Sequence, residues 1–391
     1  MRGFFVFPNL TTMTNDELMS KTISYLRFPL TVTVVMAHFN FANTGFGIHG
    51  VMYGLDKPDW YRWIINFFGT TLVGLGVPLF FIIAGYFFFG RKPWNMEAYK
   101  SKLQTRLHTL LIPYLIWNTL AILLIAIRFL PIFKSLVPGM EKIELNLTLS
   151  GLINTYFDNF HQNGLFIYPE ALSSKTTIMP IDAPLWFVRD LMAVAIISPL
   201  LYWLIKKLRG WAVVGLGLIS YVIFPLVGVT GYLPMLTDAA FFFSWGAYYG
   251  INKLNLVTEM RKLKYVPYIY VPVAILDTIT TGPIGSALHY GGIPLGAITA
   301  IIAASYLLES GKVKVNETLS NGSFFIFSMH MLIMWELGKV IFTVLHLNDN
   351  TFVLLAFYFA IPAITILICL ATYILLGKYL PGVRKLLTGG R

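Results

Sequence analysis

Apolar residues in this sequence are gathered into long blocks, and short polar segments separate them. Most blocks contain about 18 to 25 residues, the length at which an α-helix crosses the hydrocarbon core of a bilayer. A membrane β-barrel would show a series of alternating segments of about ten residues, which the sequence lacks. The pattern predicts an all-α polytopic membrane protein with about ten transmembrane helices. We place them near residues 22–43, 64–89, 107–130, 184–205, 211–230, 233–251, 265–281, 291–308, 322–346 and 352–377.

The composition supports a membrane protein. Hydrophobic residues make up 57% and charged residues 12% of the 391 residues, with a mean hydropathy of +0.69. Soluble domains contain roughly 25% charged residues, so this chain has too few charges to cover a water-exposed surface. The net charge of +11 does not indicate nucleic-acid binding, because the charges lie in the gaps between apolar blocks. Cys369 is the single cysteine, so neither an intramolecular disulfide nor a cysteine metal site is predicted.

Lysine and arginine are distributed unevenly between alternate gaps. Cytoplasmic loops of membrane proteins carry an excess of these residues, so the pattern predicts that both termini are cytoplasmic. Residues 1–20 are of mixed polarity, and we interpret the first block as a retained helix of a single domain, 1–391. The cytoplasmic side would hold 20 of the 29 Lys and Arg residues: Arg2, Lys21, Arg91, Lys92, Lys100, Lys102, Arg106, Lys206, Lys207, Arg209, Lys253, Arg261, Lys262, Lys264, Lys312, Lys314, Lys378, Arg384, Lys385 and Arg391.

Two connecting segments stand out. The predicted outer loop 131–183 is far longer than the usual connection, and it either shapes a substrate entrance or is a tolerated insertion. The basic segment 91–106 is amphipathic and is expected to lie at the inner surface, where lipid headgroups would contact it. Charged and titratable residues of the outer loop are Lys134, Glu141, Lys142, Glu144, Asp158, His161 and Glu170.

The first apolar block carries two residues that are costly inside a membrane, where a charge costs about 3 kcal/mol near the bilayer centre. Arg27 and His38 are eleven residues apart, which places them on one helix face with a rise of roughly 16 Å. Singly, the arginine could extend to the interface and the histidine could be a hydrogen-bonded core residue. Together they indicate a polar channel through the helix bundle.

Further polar residues lie in the third, fourth and ninth blocks. Lys102, Arg106 and His108 form a cationic entrance at the inner side, and Pro113 predicts a kink just beyond it. The polar residues of the fourth and ninth blocks are each open to two interpretations. Arg189 beside Asp190 is either an internal ion pair or part of a site, and His330 is either a core histidine or a site residue. Asp238 and Asp277 are weaker acidic candidates.

Five ordered features make the chain resemble the membrane acyltransferase-3 family, whose members O-acylate sugars and cell-envelope polymers in bacteria. They span residues 27–330, and the helix count also matches. An arginine and a histidine eleven residues apart would be weak evidence alone, but the occurrence of five features in the family's order by coincidence is improbable. The features are Arg27 with His38, VPLFFIIAGY (Val77 to Tyr86), the basic segment running into RLHTLLIPYLIWN, PLWFVRDL (Pro184 to Leu191) and SFFIFSMH (Ser323 to His330).

The resemblance implies a membrane O-acyltransferase of the bacterial cytoplasmic membrane. Its acyl donor is usually acyl-coenzyme A, held from the cytoplasmic side as a co-substrate, with no bound cofactor. Its acceptor is a hydroxyl of a sugar or cell-envelope glycan met at the outer side, and acetyl is the default acyl group. Many relatives carry an SGNH-hydrolase domain after the last helix, and the sequence predicts a standalone form without it.

Acyl transfer from a thioester to a hydroxyl needs a base and a means of holding the donor's phosphates. Arg27, Lys102 and Arg106 are the donor-binding candidates, because they are cationic and lie near the inner face. The donor's pantetheine arm, roughly 15–20 Å long, is comparable with the eleven-residue rise to His38. We expect His38 to be the catalytic residue, either as general base on the acceptor or as a transient acyl-imidazole.

Trp186, Arg189 and His330 are further candidates for an acceptor contact or a gate. A transporter or flippase is the main alternative function, since helix number, broken helices and intramembrane charges suit it. Against it, the hydropathy shows no obvious pair of matching halves. A metal-dependent membrane hydrolase is less favoured, because His38, His49, His108 and His330 lack HExxH or comparable ligand spacing, and no metal site is predicted.

Overall fold

The computed structural model describes residues 13–39, 46–48, 51–54, 56–90, 93–130, 143–159, 163–167 and 178–390. Within these ranges the chain is almost entirely helical, with two short pairs of antiparallel strands. The N-terminal segment, the basic segment 91–106 and the outer loop 131–183 are therefore described only in part. Predictions on the following residues lie outside the described ranges: Arg2, His49, Arg91, Lys92, Lys134, Glu141, Lys142, His161, Glu170 and Arg391.

The first half of the chain contains six described helices. The helices are α1 (Asn15–His38), α2 (Asp59–Asn66), α3 (Gly76–Gly90), α4 (Met96–Arg106), α5 (Ile112–Arg128) and α6 (Leu149–Phe157). The strands are β1 (Phe46–Ile48), which pairs with β2 (Val51–Tyr53), and β3 (Glu144–Leu145), which pairs with β4 (Phe166–Ile167). A π-helical turn, Phe67–Thr71, and a 3-10 turn, Val73–Leu75, join α2 to α3.

The second half begins with a 3-10 turn, Ala183–Leu185, and continues as helices to the end of the described chain. The helices are α7 (Trp186–Leu208), α8 (Gly210–Leu218), α9 (Phe224–Val227), α10 (Tyr232–Ile251), α11 (Leu256–Lys262), α12 (Val266–Ile279), α13 (Gly282–Glu309), α14 (Glu317–Val344), α15 (Thr351–Tyr379) and α16 (Pro381–Thr388). The π-helical turn Ile219–Ile223 joins α8 to α9.

All ten predicted regions contain a helix, and seven helical segments of the described chain are long and apolar enough to cross a bilayer. These seven are Asp59–Gly90, Met96–Arg128, Ala183–Leu208, Gly210–Val227, Gly282–Glu309, Glu317–Val344 and Thr351–Tyr379. The other three predicted crossings correspond to α1, α10 and the shorter apolar helix α12. The chain is therefore a multi-pass helical membrane protein, whereas ten crossings and cytoplasmic termini remain predictions.

Several predicted boundaries are wrong, because polar residues also enter the helices. The first helix starts at Asn15 rather than 22, since Thr14 accepts a hydrogen bond from the Glu17 N–H (3.2 Å) and caps its N-terminus; it ends at His38. The second region begins at Asp59 rather than 64. The third begins in the basic segment, which is helix α4 from Met96 onward. The helix predicted at 291–308 spans Gly282–Glu309.

The predicted loop 131–183 contains ordered structure in its described parts. Helix α6 lies within it, between the paired strands β3 and β4, and its last residues contact α5 and α6. The Asp182 N–H donates to Asn118 Oδ1 (3.1 Å), and the Ile181 N–H donates to the Thr155 carbonyl (2.9 Å). This segment is therefore docked on the helix bundle by specific hydrogen bonds.

Helices α3 and α10 cross so closely that glycine is required at the contact. A Cβ atom at Gly85 would collide with the carbonyl of Phe243, and one at Gly246 would collide with the carbonyl of Ile82. Small residues permit such close backbone approach between membrane helices. Glycine at these two positions therefore allows the backbones of α3 and α10 to touch.

A π-helical turn, Leu107–Leu111, lies where the sequence predicts a break before Pro113. Proline has no N–H to donate to the carbonyl four residues earlier, which is that of Thr109. The widened turn accommodates this loss, and the Ile112 N–H donates to the Leu107 carbonyl. The turn connects α4 to α5, so it sets the direction in which the cationic α4 leaves the bundle.

We call the end of the bundle where α1 begins the basic end. There the Asn255 side chain donates to the carbonyl of Asn15 (3.1 Å), and Lys253 Nζ donates to the carbonyl of Gly90 (3.1 Å). Helix α16 packs on the start of α5, and the Trp117 indole donates to the Leu387 carbonyl (3.0 Å). The beginning of α1 and the C-terminal helix therefore lie at the same end. The opposite end carries the β3–β4 strand pair, since Phe166 of β4 stacks on Phe129 just beyond the last residue of α5 (ring centroids 5.9 Å apart).

Candidate active site

Two histidines from distant parts of the sequence face each other inside the helix bundle. His38 lies in the last turn of α1, and His330 lies near the middle of α14. Their ring centroids are 5.1 Å apart, and His330 Nε2 lies 3.4 Å from His38 Nδ1. His330 is fully buried and His38 is partly buried. The fold thus brings two imidazoles together in a largely water-excluded position.

The backbone contacts of the two rings indicate where each neutral imidazole carries its proton. His38 Nδ1 lies 2.7 Å from the Val34 carbonyl oxygen, and His330 Nδ1 lies 3.2 Å from the Ile326 carbonyl oxygen. A carbonyl only accepts, so this hydrogen-bond network assigns an Nδ1–H donor to both rings. His38 Nε2 then keeps a lone pair for chemistry. His330 Nε2 is a second acceptor facing the Nδ1–H of His38.

A cavity of about 1050 Å³ lies at the basic end of the bundle. Its lining includes the three predicted donor-binding residues, Arg27 of α1 with Lys102 and Arg106 of α4. Lys102 Nζ lies 4.9 Å from the Phe88 ring centroid, and the Arg106 guanidinium carbon lies 5.9 Å from it. Three cationic side chains and one carboxylate, that of Glu97, therefore surround one space, and their net positive charge favours an anionic ligand. Small-molecule sites usually enclose roughly 300–1,000 Å³, so a large ligand fits.

The cavity extends along the face of α1 that carries His38. Thr31, one turn beyond Arg27, lines the cavity, and its hydroxyl donates to the Arg27 carbonyl (2.9 Å). His38 lies seven residues beyond Thr31, a rise of about 10 Å. Arg27, Thr31 and His38 thus follow one another on one face of α1, but neither His38 nor His330 is among the residues that line the cavity.

Phenylalanine side chains close the cavity on the side of the histidine pair. Phe187 of α7 and Phe327 of α14 both line it, and their ring centroids are 5.9 Å apart. The Phe327 ring is in turn 6.3 Å from the His330 ring. A ligand entering at the basic end would therefore meet these two rings before it reached the imidazoles. Phe80 and Phe324 also contribute to the lining.

Two predicted residues of the PLWFVRDL motif do not line the cavity. Trp186 is partly buried against the core, while its neighbours Phe187 and Val188 line the cavity. Arg189 is 6% exposed and is engaged within the protein. Its Nε donates to Asp190 (2.7 Å), and its Nη1 donates to the carbonyls of Phe157 (2.7 Å) and Ile178 (3.2 Å). Arg189 thus links α7 to the chain before and after β4.

His108 is the one residue of the predicted cationic entrance that does not line the cavity. It lies on the π-helical turn Leu107–Leu111, and its side chain is exposed. The widened turn therefore separates it from Lys102 and Arg106, which precede the turn on α4.

Sequence reasoning did not identify Phe187 and Phe327 as cavity residues. The available signal is their place inside the quoted motifs: Phe187 follows Trp186, and Phe327 lies three residues before His330. Single apolar side chains are common on every surface of a membrane helix, so this signal does not separate a cavity wall from a lipid-facing ring.

Comparison with known proteins gives a family match over most of the chain. Residues 21–374 match the family model described as "Acyltransferase domain". The chain is also similar to the succinoglycan biosynthesis protein ExoH of Rhizobium meliloti (strain 1021), with 26% identity over 388 residues. That similarity covers 96% of this chain and 94% of the relative. No solved structure matches the chain.

Proposed function

The chain belongs to the acyltransferase-3 family, and from that premise we propose that it moves an acyl group from cytoplasmic acyl-coenzyme A to a hydroxyl of an envelope glycan. Membership makes it an acyl-transferring membrane enzyme. Membership in an enzyme family therefore disfavours the transporter or flippase, which was the main alternative function. The finer proposals are that the donor is acyl-coenzyme A, that the acyl group is acetyl, and that the acceptor is a glycan.

The observation that carries the proposal is the alignment of the cationic cavity with the histidine pair along α1. Coenzyme A carries several phosphate charges at one end and a thioester at the other. Arg27, Lys102 and Arg106 would hold the phosphates, since guanidinium and ammonium groups bind phosphate oxygens strongly. The pantetheine arm would then extend past Thr31 toward His38, with the thioester passing Phe187 and Phe327.

In the proposed reaction, His38 Nε2 takes the proton of the acceptor hydroxyl as its oxygen attacks the thioester carbon. The tetrahedral intermediate collapses with cleavage of the carbon–sulfur bond, and the imidazolium returns the proton to the leaving thiolate. The hydrogen bond from His38 Nδ1–H to the Val34 carbonyl fixes the orientation of the His38 ring. His330 Nε2 faces the same Nδ1–H and would stabilise the positive charge that develops on His38.

An acyl-imidazole at His38 Nε2 is the alternative course for the same residue. The imidazole nitrogen would attack the thioester carbon, release the thiol and pass the acyl group to the acceptor hydroxyl in a second step. The two-step course consumes acyl donor in the absence of acceptor, whereas the direct course does not. A single-turnover reaction with labelled donor and no acceptor would leave label on the protein only in the two-step course.

The proposals for acceptor and location rest on the relative and on charge distribution. The similar protein is named for succinoglycan biosynthesis, which supports a glycan as acceptor here. That relative is bacterial, which supports the bacterial cytoplasmic membrane as the location. With ten crossings and cytoplasmic termini, the basic end would face the cytoplasm and the donor, and the acceptor would approach from the outer side.

The acceptor and acyl group can be tested together in cells. Envelope glycans from a deletion strain, the complemented strain and a strain complemented with His38→Ala would be compared by mass spectrometry. We expect one acetyl unit on a defined sugar only in the strain with the unaltered enzyme. Glycans of equal mass in all three strains would contradict glycan acylation, and a mass increase other than acetyl would correct the acyl group.

A further inference from the structure

A second, smaller pocket lies between the α2–α3 connection, α12 and α13, away from the cationic cavity. Its volume is about 280 Å³, and none of its lining residues lines the cationic cavity. It is formed where α12 ends at Ile279 and α13 begins at Gly282, toward the end of the bundle opposite the basic end. The lining consists of Asn66, Thr70, Thr71, Asp277, Thr280, Thr281, Gly282, Gly285, Ser286, His289 and Tyr290.

Most of the residues that line the pocket are polar. Nine of the eleven carry hydroxyl, amide, carboxyl or imidazole groups, and the other two are glycines. The cationic cavity, in contrast, contains several phenylalanine and aliphatic side chains. The small pocket therefore has the chemistry of a site for a neutral ligand that is rich in hydroxyl groups.

A carboxylate and an imidazole are fixed side by side in this pocket. His289 Nδ1 lies 3.1 Å from Asp277 Oδ2, and their side chains are 24% and 8% exposed. When the imidazole is neutral and Nδ1–H donates to the carboxylate, His289 Nε2 carries a lone pair. The second carboxylate oxygen and this nitrogen are both acceptors that can be used by ligand hydroxyls.

The backbone shapes the pocket as well. Thr70 and Thr71 come from the π-helical turn Phe67–Thr71, a distortion that often occurs at functional sites. The Thr71 hydroxyl lies 3.2 Å from that of Thr278, which ties this turn to α12. A Cβ at Gly285 would collide with the carbonyl of Thr280, so glycine allows the α12–α13 connection to fold tightly over the pocket.

We propose that this pocket binds one sugar residue of the acceptor glycan, as a docking subsite separate from the reacting sugar; this inference rests on the proposed function. Its volume is on the scale of one monosaccharide, below the roughly 300–1,000 Å³ of typical drug-sized sites. Hydroxyl-rich rings bind through the acceptors and donors that line it: carboxylate, imidazole, amide and hydroxyl groups.

The position of the pocket suits a docking role. The π-helical turn that supplies Thr70 and Thr71 packs directly on α1, the helix that carries His38. Packed helix axes are about 8–10 Å apart, so the pocket is about one helix removed from the catalytic helix. An oligosaccharide with one sugar in the pocket could present another sugar of the same chain toward His38, whereas a free monosaccharide could not occupy both places.

The test compares acceptors of different length. Asp277→Asn and His289→Gln enzymes, reconstituted in phosphatidylcholine vesicles, would be assayed with oligosaccharide fragments of the envelope polysaccharide and with the single sugar that becomes acylated. We expect the KM for oligosaccharide to rise about tenfold or more, as loss of a hydrogen bond to a charged group implies. The KM for the single sugar and the kcat for both acceptors should stay unchanged.

The matched control is Asp238→Asn, which alters another carboxyl group, one that accepts a hydrogen bond from Ser220 outside the pocket. It should leave the oligosaccharide KM unchanged. Unaltered oligosaccharide KM in folded Asp277→Asn and His289→Gln enzymes, with active wild type, would overturn the subsite alone. Failure of the wild type to acylate any glycan fragment would overturn the proposed function and, with it, the subsite.

A lipid headgroup with a glycerol moiety offers the same hydroxyl chemistry. The assay is therefore repeated in vesicles that also contain phosphatidylglycerol. An effect of Asp277→Asn that is equal in both kinds of vesicle supports the sugar subsite. An effect that occurs only with phosphatidylglycerol present assigns the pocket to lipid and overturns the proposal.

Discussion

Arg27 and Arg189 both lie in helices of the bundle, but the structure surrounds them differently. Arg27 lines a large cavity with Lys102 and Arg106, where positive charges gather around open space. Arg189 is buried against Asp190, two backbone carbonyls and the rings of Phe157 and Tyr232. The contrast is between a charge that faces a cavity and a charge that is enclosed by protein groups.

The physical basis of this contrast is the compensation of charge. A buried charge is tolerated when an opposite charge and hydrogen bonds replace its hydration. At Arg189, the Asp190 carboxylate and two backbone carbonyls supply this compensation. The cavity instead surrounds one space with three cationic side chains and a single carboxylate, that of Glu97, so its net charge is positive. Substitutions in the two regions should therefore divide into effects on catalysis or donor binding and effects on stability.

The largest effect is expected for His38→Ala, which removes the proposed catalytic nitrogen. His38 lies in the last turn of α1, the helix that also carries Arg27. Loss of a general base typically lowers kcat by about 10²–10⁴-fold. The cationic cavity is unaltered, so donor affinity should remain. Acyl transfer by purified enzyme and equilibrium binding of acetyl-coenzyme A would be measured. Near-normal kcat in well-folded His38→Ala protein would contradict its catalytic role.

On the structural side of the comparison, Arg189→Met should destabilise the protein. It leaves the Asp190 carboxylate buried without its ion pair, and breaking a buried pair costs about 3–5 kcal/mol. Thermal unfolding in detergent would report the loss. The matched variant Arg189→Met with Asp190→Leu removes both charges and should recover much of the stability. If the single variant melted like the wild type, the structural role of Arg189 would be refuted.

A smaller effect, of a different kind, is expected for Arg27→Ala. Loss of a charged contact to phosphate should raise the KM for acyl-coenzyme A by about 10–100-fold, without a comparable decrease in thermal stability. Arg27→Lys should retain part of the affinity, because it keeps the charge but not the forked geometry. Unchanged donor affinity in Arg27→Ala would remove this residue from the proposed donor site.

The smallest of these effects is expected for His330→Phe, which keeps a ring beside His38 but removes the accepting Nε2 atom. If His330 stabilises the charged form of His38, kcat should decrease about tenfold while the donor KM is unchanged. Steady-state kinetics with saturating acceptor would measure both values. A loss as large as that of His38→Ala would instead give the two histidines equal roles in proton transfer.

Hydropathy alone predicted the helical class and located all ten helical regions, because long apolar blocks admit few other structures in a membrane. The boundaries were wrong where helices continue into polar sequence, as in α4, or begin in a glycine-containing segment, as in α13. These extensions depend on capping and packing, such as the cap at Thr14, which a hydropathy pattern does not register.

For the site, residue spacing was informative within one helix and uninformative between helices. The interval from Arg27 to His38 predicted a shared face, and Arg27 and Thr31 line one cavity along that face, whereas His38 lies beyond the residues that line it. The contact between His38 and His330 joins positions 292 residues apart, so it follows from tertiary packing. The sequence also left open whether Arg189 and Asp190 form an ion pair or belong to a site. The other partners of Arg189, the carbonyls of Phe157 and Ile178, are brought to it by tertiary packing.

The most direct measurement of the central claim is donor consumption by the purified enzyme in vesicles. Acetyl-coenzyme A would be supplied at the basic end of the protein, glycan acceptor at the opposite side, and free thiol would be measured with acetylated glycan. The proposed function predicts thiol and acetylated glycan in equal amounts from the wild type and neither above background from His38→Ala. Movement of glycan or donor across the membrane without thiol release, or equal thiol release by both proteins, would contradict it.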